Sequence, residues 1–241
     1  MIVGSGLLAR AFAPHFADNP DFVVFASGVS NSLENRREEF EREETLLREK
    51  ISLPAARFIY FSSCGVNSVE SDITPYMLHK KSMESLVLSV PHGLVFRLPQ
   101  VVGKTKNSHT LTNFLRDRIN SREHFTVWAR AERNLIDIDD IVKLVVAFAA
   151  VPPEGASVIS IASLRSLQMP EIVRIFEKIL GKEAFCSYVD KGAPMMIDTR
   201  LVQRLSVSLG IDLGGDYVER IISKYYSAEN HCDHPEELSL K

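Results

Sequence analysis

The feature that most constrains this chain is a hydrophobic period that switches repeatedly, starting at its first residues. Met1, Ile2 and Val3 form a short apolar run directly before Gly4-Ser5-Gly6-Leu7-Leu8-Ala9. Leu7, Leu8, Ala11 and Phe12 then recur at helical spacing. Strand, glycine-rich turn and helix therefore follow one another at once. Apolar runs of strand length return at residues 22–26, 57–63 and 94–98. Between them, residues 33–51 carry a thin apolar stripe of Leu33, Phe40, Leu47 and Ile51 on a densely charged helix. Residues 76–90 read as a helix opened by Pro75. This alternation over residues 1–150 predicts an α/β fold, a parallel sheet with helices on both faces.

Beyond residue 98 the pattern is looser. It predicts a helix over 110–119, a strand over 124–128, and a helix entered through Ile136-Asp137-Ile138-Asp139-Asp140 and running to Ala150, with an acidic N-cap. A turn at Pro152-Pro153-Glu154-Gly155, a strand over 158–162, and helices over 170–180 and 217–226 complete it. We divide the chain into a core of residues 1–150, an interleaved mixed segment of 151–226, and a polar tail of 227–241.

Composition narrows the class. The chain has 241 residues, enough to bury a core without disulfide or metal staples. Apolar residues make up 45% and charged residues 24%, which excludes a disordered or collagen-like chain. Lys and Arg number 28 against 31 Asp and Glu, so no basic excess points to nucleic acid. Cys64, Cys186 and Cys232 are odd in number and far apart, which fits a reducing compartment. The apolar start lacks a basic region ahead of it, and Arg10 interrupts it, so it is not read as a signal peptide. The expectation is a cytoplasmic protein with no membrane and no nucleic-acid partner.

Three signals carry chemistry. In Gly4-x-Gly6-x-x-Ala9 the first glycine permits a tight turn, the second lets a pyrophosphate approach the backbone, and the small third position allows close helix–sheet packing. The helix N-terminus then offers free N–H groups to phosphates; a plain strand–helix turn is the alternative. Tyr76-Met77-Leu78-His79-Lys80 places Tyr76 and Lys80 on one helical face. An ammonium beside a phenol favours phenolate, so such a tyrosine can exchange a proton with a substrate oxygen. Ser62 and Ser63 end an apolar strand 13 residues before Tyr76, at the end of a strand where α/β sheets bind ligands.

With these residues in order, the sequence resembles the extended short-chain dehydrogenase/reductase family, in its NAD-dependent nucleotide-sugar epimerase/dehydratase/reductase branch. GSGLLA, FASG, FIYFSSCGV, YMLHK, FRLPQVVG and RNLIDIDD stand in that branch's order, over about residues 1–226. The resemblance implies a Rossmann-like fold with a small C-terminal substrate lobe, NAD or NADP as cofactor, and a sugar linked to a nucleotide as substrate. It implies Tyr76 as acid/base, Lys80 as holder of the nicotinamide ribose, and Ser63 as the hydroxyl fixing the substrate oxygen. It places Gly4, Gly6, Leu7, Ala9, Ala26, Ser27, Ser62, Pro99 and Val101 around the cofactor. Gln100 stands where the family has asparagine, and Arg133 stands where an arginine grips a substrate phosphate; both are expected at the substrate. It also implies a homodimer in which the 33–51 and 76–90 helices pair through Phe40/Leu47 and Met83/Leu86/Val90, and a role in surface-polysaccharide biosynthesis.

The sequence departs from the family in several places. The glycine turn lies about 60 residues before Ser63, roughly half the usual distance. No acidic residue ends a strand in the interval where the family binds the adenosine ribose. The expectation is a sheet reduced in strand number, short by two strand–helix units, with its adenine side open. Asn67-Ser68 replace the family's Tyr-Gly, and Cys64-Gly65 replace an acid/base pair that dehydratases need, so reduction or epimerisation is preferred over dehydration. The alternative function is a non-catalytic nucleotide-binding or regulatory relative. Cys64 is expected as a small core filler, with a catalytic role as the alternative. His79 and His92 are expected in solvent or loops, Trp128 in the core or at a sheet edge, and His231, Cys232 and His234 in a tail without metal.

Overall fold

The computed structural model describes residues 1–67, 73–150 and 157–227. The proline-rich turn at 152–155, Ser68 and the tail with His231, Cys232 and His234 lie outside them. The first half alternates as expected: β1 (Ile2–Val3), α1 (Leu7–Phe16), β2 (Phe22–Phe25), α2 (Arg37–Ile51), β3 (Arg57–Ser63), α3 (Pro75–Leu88) and β4 (Gly93–Leu98). The second half runs β5 (Gln100–Val102), α4 (Leu111–Ser121), β6 (Phe125–Trp128), β7 (Glu132–Arg133), β8 (Leu135–Asp137), α5 (Ile138–Ala150), β9 (Ser157–Ser160), β10 (Leu167–Gln168), α6 (Met169–Leu180), β11 (Cys186–Val189), α7 (Arg200–Ser208) and α8 (Tyr217–Tyr226).

The main sheet has five parallel strands in the order β1-β2-β3-β4-β9. Its pairing register aligns Val3 with Phe25, Phe25 with Tyr60, and Ser63 with Leu98. The carboxyl ends of neighbouring strands therefore gather along one edge. Two further parallel pairs, β5 with β8 and β6 with β11, and the antiparallel pair β7–β10 form the smaller sheets.

The period of two along the central strands sorts the helices onto two faces. Val24, Ile59, Phe61 and Phe96 face α1 and α5, where Phe12 stacks on Phe61 at 5.0 Å between ring centroids. Val23, Phe25, Phe58, Tyr60 and Val95 face α2 and α3 through Leu47, Met83 and Val87. The apolar cluster on the α1 face runs on through Phe176 of α6 to Tyr226 of α8.

This sorting has a topological consequence. β1 to β2, β2 to β3 and β3 to β4 all step the same way across the sheet. Yet α1 lies on one face and α2 and α3 on the other. The β1–α1–β2 crossover therefore has the opposite hand to the next two, although about 98% of such connections share one hand. Were α1 to lead outward from β1 to further strands, the same face would give it the same hand as α2 and α3. The expected shortage of two strand–helix units is thus visible as an edge strand and a reversed crossover.

Local chemistry accounts for the ends of the elements. Thr110 and Thr74 cap α4 and α3 by accepting from the backbone N–H groups of Asn113 and Met77. The Asp137 carboxylate accepts from Asp139 N at 3.0 Å at the start of α5, the expected acidic cap. One expectation is corrected here. Leu47 and Met83 are fully buried within their own chain, because α2 packs on α3 and on the sheet. The stripes Phe40/Leu47 and Met83/Leu86/Val90 therefore do not form a free face for a second copy.

Candidate active site

The glycine turn is pressed against the end of β2. Gly4 has φ +122°, and a Cβ there would stand 2.5 Å from the Ala26 carbonyl oxygen and 3.1 Å from Ser27 N. Only glycine accepts both the dihedral and the approach. Ala26 N donates to Val3 O at 2.8 Å and closes the contact. Gly6 is the N-cap of α1, and no side chain caps it. The first N–H groups of α1, from Leu7 onward, are thus not taken by a capping side chain. A groove of about 450 Å³ runs beside this turn, lined by Ile2, Gly4, Ser5, Ala9, Arg10 and Ala13. Arg10 folds back to donate to Ser5 O at 2.9 Å.

One face of α3 carries four titratable residues, Tyr76, His79, Lys80 and Glu84. Tyr76, His79, Lys80, Met83, Glu84 and Val87 are its buried positions, at the spacing of a helix stripe. Lys80 is 3% exposed. Its ammonium donates to Glu43 Oε1 at 2.9 Å and to the Tyr60 hydroxyl at 3.0 Å, and lies 5.9 Å from the Tyr76 ring centroid. Two of its three N–H bonds are thereby used.

Glu43, from α2, is the hub of this cluster and has 0% exposure. Its Oε1 also accepts from the Tyr60 hydroxyl at 2.6 Å, and its Oε2 accepts from Val29 N at 2.6 Å. His79 Nε2 lies 3.1 Å from Oε2, outside good hydrogen-bond alignment. Burial pushes the Glu43 carboxyl up. The Lys80 charge and the hydrogen bonds outweigh it and hold the group down at about 2. Burial and the Glu43 charge push the Tyr60 phenol well above its ordinary range. A Cβ on Gly28 would stand 2.6 Å from Lys80 Nζ, so the turn after β2 closes over the ammonium.

The sequence reading missed Glu43 and Tyr60 and placed His79 in solvent. His79 is 8% exposed and stacks on Phe40 at 4.6 Å. The readable signal was a carboxylate three residues after Phe40 and four before Leu47, on the apolar stripe itself.

At the end of β3, the Ser63 hydroxyl accepts from Gly65 N at 3.1 Å. Ser62 is buried, and its Oγ has no hydrogen-bond partner among the described residues. Cys64 is buried, donates to Arg97 O at 3.4 Å, and burial pushes its thiol up to about 12. Such a thiol is inert at neutral pH, as expected of a core filler. Arg97 is clamped by both Glu84 oxygens, at 2.8 and 2.6 Å.

Gly4, Ala26, Ser27, Ser63 and Pro99 thus fall at the carboxyl ends of β1, β2, β3 and β4. Gln100 and Val101 continue into β5, where Gln100 N donates to Asn134 O at 3.0 Å. Arg133 stands in β7, in a different small sheet. It is half-buried, and burial lowers its proton affinity. Its guanidinium donates to Glu132 O at 2.7 Å, and no carboxylate pairs with it among the described residues. Trp128 is half-exposed on β6. A second cavity, of about 410 Å³, is lined by Arg165, Leu167, Arg174, Lys178, Gly214 and Tyr217 and holds none of the expected site residues. Among the described residues no His, Cys, Asp and Glu group could hold a metal, and no helix is long and apolar enough to cross a membrane.

Known proteins resemble this chain in fold. The NAD-dependent NDP-hexosamine 5,6-dehydratase TunA, involved in tunicamycin biosynthesis, is 20% identical with a TM-score of 0.66, over 88% of this chain and 76% of its own. MoeE5, solved in complex with UDP-glucuronic acid and NAD, is 17% identical with a TM-score of 0.65, over 84% and 77%. UDP-glucuronic acid 4-epimerase from Bacillus cereus, in complex with NAD, is 18% identical with a TM-score of 0.62, over 85% and 71%. No curated protein matches the sequence. Residues 6–162, which begin at Gly6 and include the Ser63 strand end and the Tyr76 helix, match the NAD dependent epimerase/dehydratase family, and the chain belongs to that family.

Proposed function

We propose that the chain is an NAD(P)-dependent oxidoreductase or epimerase acting on a nucleotide-linked sugar. The observation that carries this reading is the buried Tyr76–Lys80 face of α3 beside a sheet whose strand ends also hold Ser63 and the Gly4 turn. The similar structures were solved with NAD or NADPH, and MoeE5 also with UDP-glucuronic acid.

The residues fit a dinucleotide on one side. Gly4 lets the turn close against the end of β2, the space beside Gly6 is open, and α1 offers an N-terminus free of capping side chains for a pyrophosphate. Gly4, Gly6, Leu7, Ala9, Ala26 and Ser27 would hold it there. Ser62, with its unpartnered hydroxyl, Pro99 and Val101 would flank the nicotinamide side. Bound NAD(P) supplies hydride exchange with the substrate carbon. Tyr76 gives a proton to the carbonyl oxygen in reduction and takes it back in oxidation. Ser63 donates a hydrogen bond to that oxygen. Lys80 favours the phenolate that Tyr76 becomes, and its third N–H would hold the cofactor ribose. Gln100 and Arg133 contact the substrate, Arg133 as an unpaired guanidinium suited to phosphate. Reduction of a keto sugar is the preferred subtype, since Cys64 is buried and inert where dehydration needs a second acid/base. The same reading places the enzyme in the cytoplasm, as a homodimer, in surface-polysaccharide biosynthesis.

A second reading, a non-catalytic nucleotide-binding or regulatory relative, is favoured by the edge position of β1, beyond which no strand lies among the described residues to cover an adenosine. Fluorescence titration with NADH and NADPH tests both. We expect binding of one of them, and a loss of turnover of about 10²–10⁴-fold in Tyr76→Phe. Binding without turnover on any keto sugar supports the second reading. No binding of either nucleotide removes the enzyme reading.

A further inference from the structure

We infer that Glu43 is the positioning residue of the site: its carboxylate sets the place of the Lys80 ammonium and of the turn carrying Ala26 and Ser27. This deepens the proposed function and rests on it for the meaning of Lys80.

The inference stands on geometry. A single carboxylate on α2 reaches two parts of the site that are far apart in sequence. Oε1 receives Lys80 Nζ at 2.9 Å, and Oε2 receives Val29 N at 2.6 Å, directly after Ala26-Ser27-Gly28. Tyr60, on β3, closes the group by donating to Oε1 and accepting from Lys80. Lys80 therefore cannot swing away without breaking two hydrogen bonds in the interior. Gly28 lies close against the ammonium, where a Cβ would meet Nζ at 2.6 Å. The outcome is a lysine fixed in position with one N–H uncommitted. Fixed placement is what a group needs to hold a ribose hydroxyl and a phenolate at once.

A purely structural role makes a different prediction. A buried ion pair that only stabilises the fold changes stability on removal, but leaves the affinity of the folded protein for nucleotide unchanged.

The test uses the full chain without ligand, then with NADH or NADPH. In wild type, the Lys80 ammonium is followed by 15N NMR, assigned through its covalent neighbours. We expect it to exchange with water at least tenfold more slowly than surface lysines. Exchange as fast as theirs overturns the inference and needs no variant to fold. Glu43→Gln is expected to lose that slow signal and to weaken nucleotide binding at least tenfold, with kcat lowered more than KM for the sugar. Glu43→Asp, which keeps the charge one methylene shorter, is expected to recover part of both and serves if the glutamine variant does not fold. A folded Glu43→Gln or Glu43→Asp with wild-type affinity and an unchanged Lys80 signal overturns the inference. If wild type binds neither nucleotide, the proposed function fails. The Lys80 signal in Glu43→Gln then still decides whether Glu43 positions the lysine.

Discussion

β1 contributes two residues to the main sheet and pairs on one side only, whereas β3, two strands away, contributes seven residues, five of them buried, and pairs on both sides. The same contrast holds for what each strand presents at its carboxyl end. Beside β1 there is backbone: a glycine turn and an uncapped helix start next to an open groove. Beside β3 and β2 there are buried side chains: Glu43, Tyr60, Lys80 and His79 in mutual contact. The edge offers the backbone N–H groups of a helix start without a capping side chain to phosphate oxygens. The centre holds charges that survive burial only because each meets a partner. A chain that lost strands at its edge could keep the second region whole, since the hydrogen bonds that tie Glu43 to Val29, Tyr60 and Lys80 run between α2, α3, β3 and the turn after β2.

Substitutions can break or sharpen this contrast. The largest effect is expected at the centre. Glu43→Gln leaves the Lys80 ammonium buried without its counter-charge, and should cost about 3–5 kcal/mol in urea unfolding. Acid reaches the same group. The Glu43 carboxyl falls from 4.5 to about 2 on folding. Its contribution is therefore complete above the unfolded value of 4.5 and fades as pH drops toward 2. The stability gap between wild type and Glu43→Gln should narrow over that window, and a gap independent of pH would show that the charge is not what holds the cluster.

At the edge, Gly4→Ala should cost about 1–3 kcal/mol through its positive φ and its clash with Ala26 O. It should also abolish nucleotide binding in a protein that remains folded. A loss of stability as large as that of Glu43→Gln would erase the contrast between edge and centre. The smallest effect belongs to neither region. Arg37→Ala removes an exposed ion pair with Glu41 on α2 and should shift stability by about 0.3–0.5 kcal/mol. A larger shift would mean that the outer face of α2 supports the Glu43 hub.

Much of the central sheet was legible from periodicity. The run at 57–63 coincides with β3 and the helix at 217–226 with α8, because long apolar runs and strong stripes are decided locally. The helix expected from residue 33 starts only at Arg37, since Leu33 is exposed and lends no stripe. The short strands β5, β7, β8, β10 and β11, and α7, escaped notice. Two- to four-residue strands have too few residues to show a period, and their pairing partners lie up to tens of residues away.

The candidate site divides the same way. Gly4, Gly6, Ser63, Tyr76 and Lys80 stood out because their chemistry depends on local spacing along a turn, a strand end or a helix. Glu43, Tyr60 and the burial of His79 did not, since a glutamate in a charged helix looks solvated until α2 is laid against α3. The amino-acid sequence by itself determined the alternating elements, the order of the strand ends and the missing stretch between β1 and β2. Tertiary structure alone decided that α1 returns on the opposite face from α2 and α3, and that Lys80 is bound to Glu43. Both depend on which faces pack together, and packing joins residues that no local period connects.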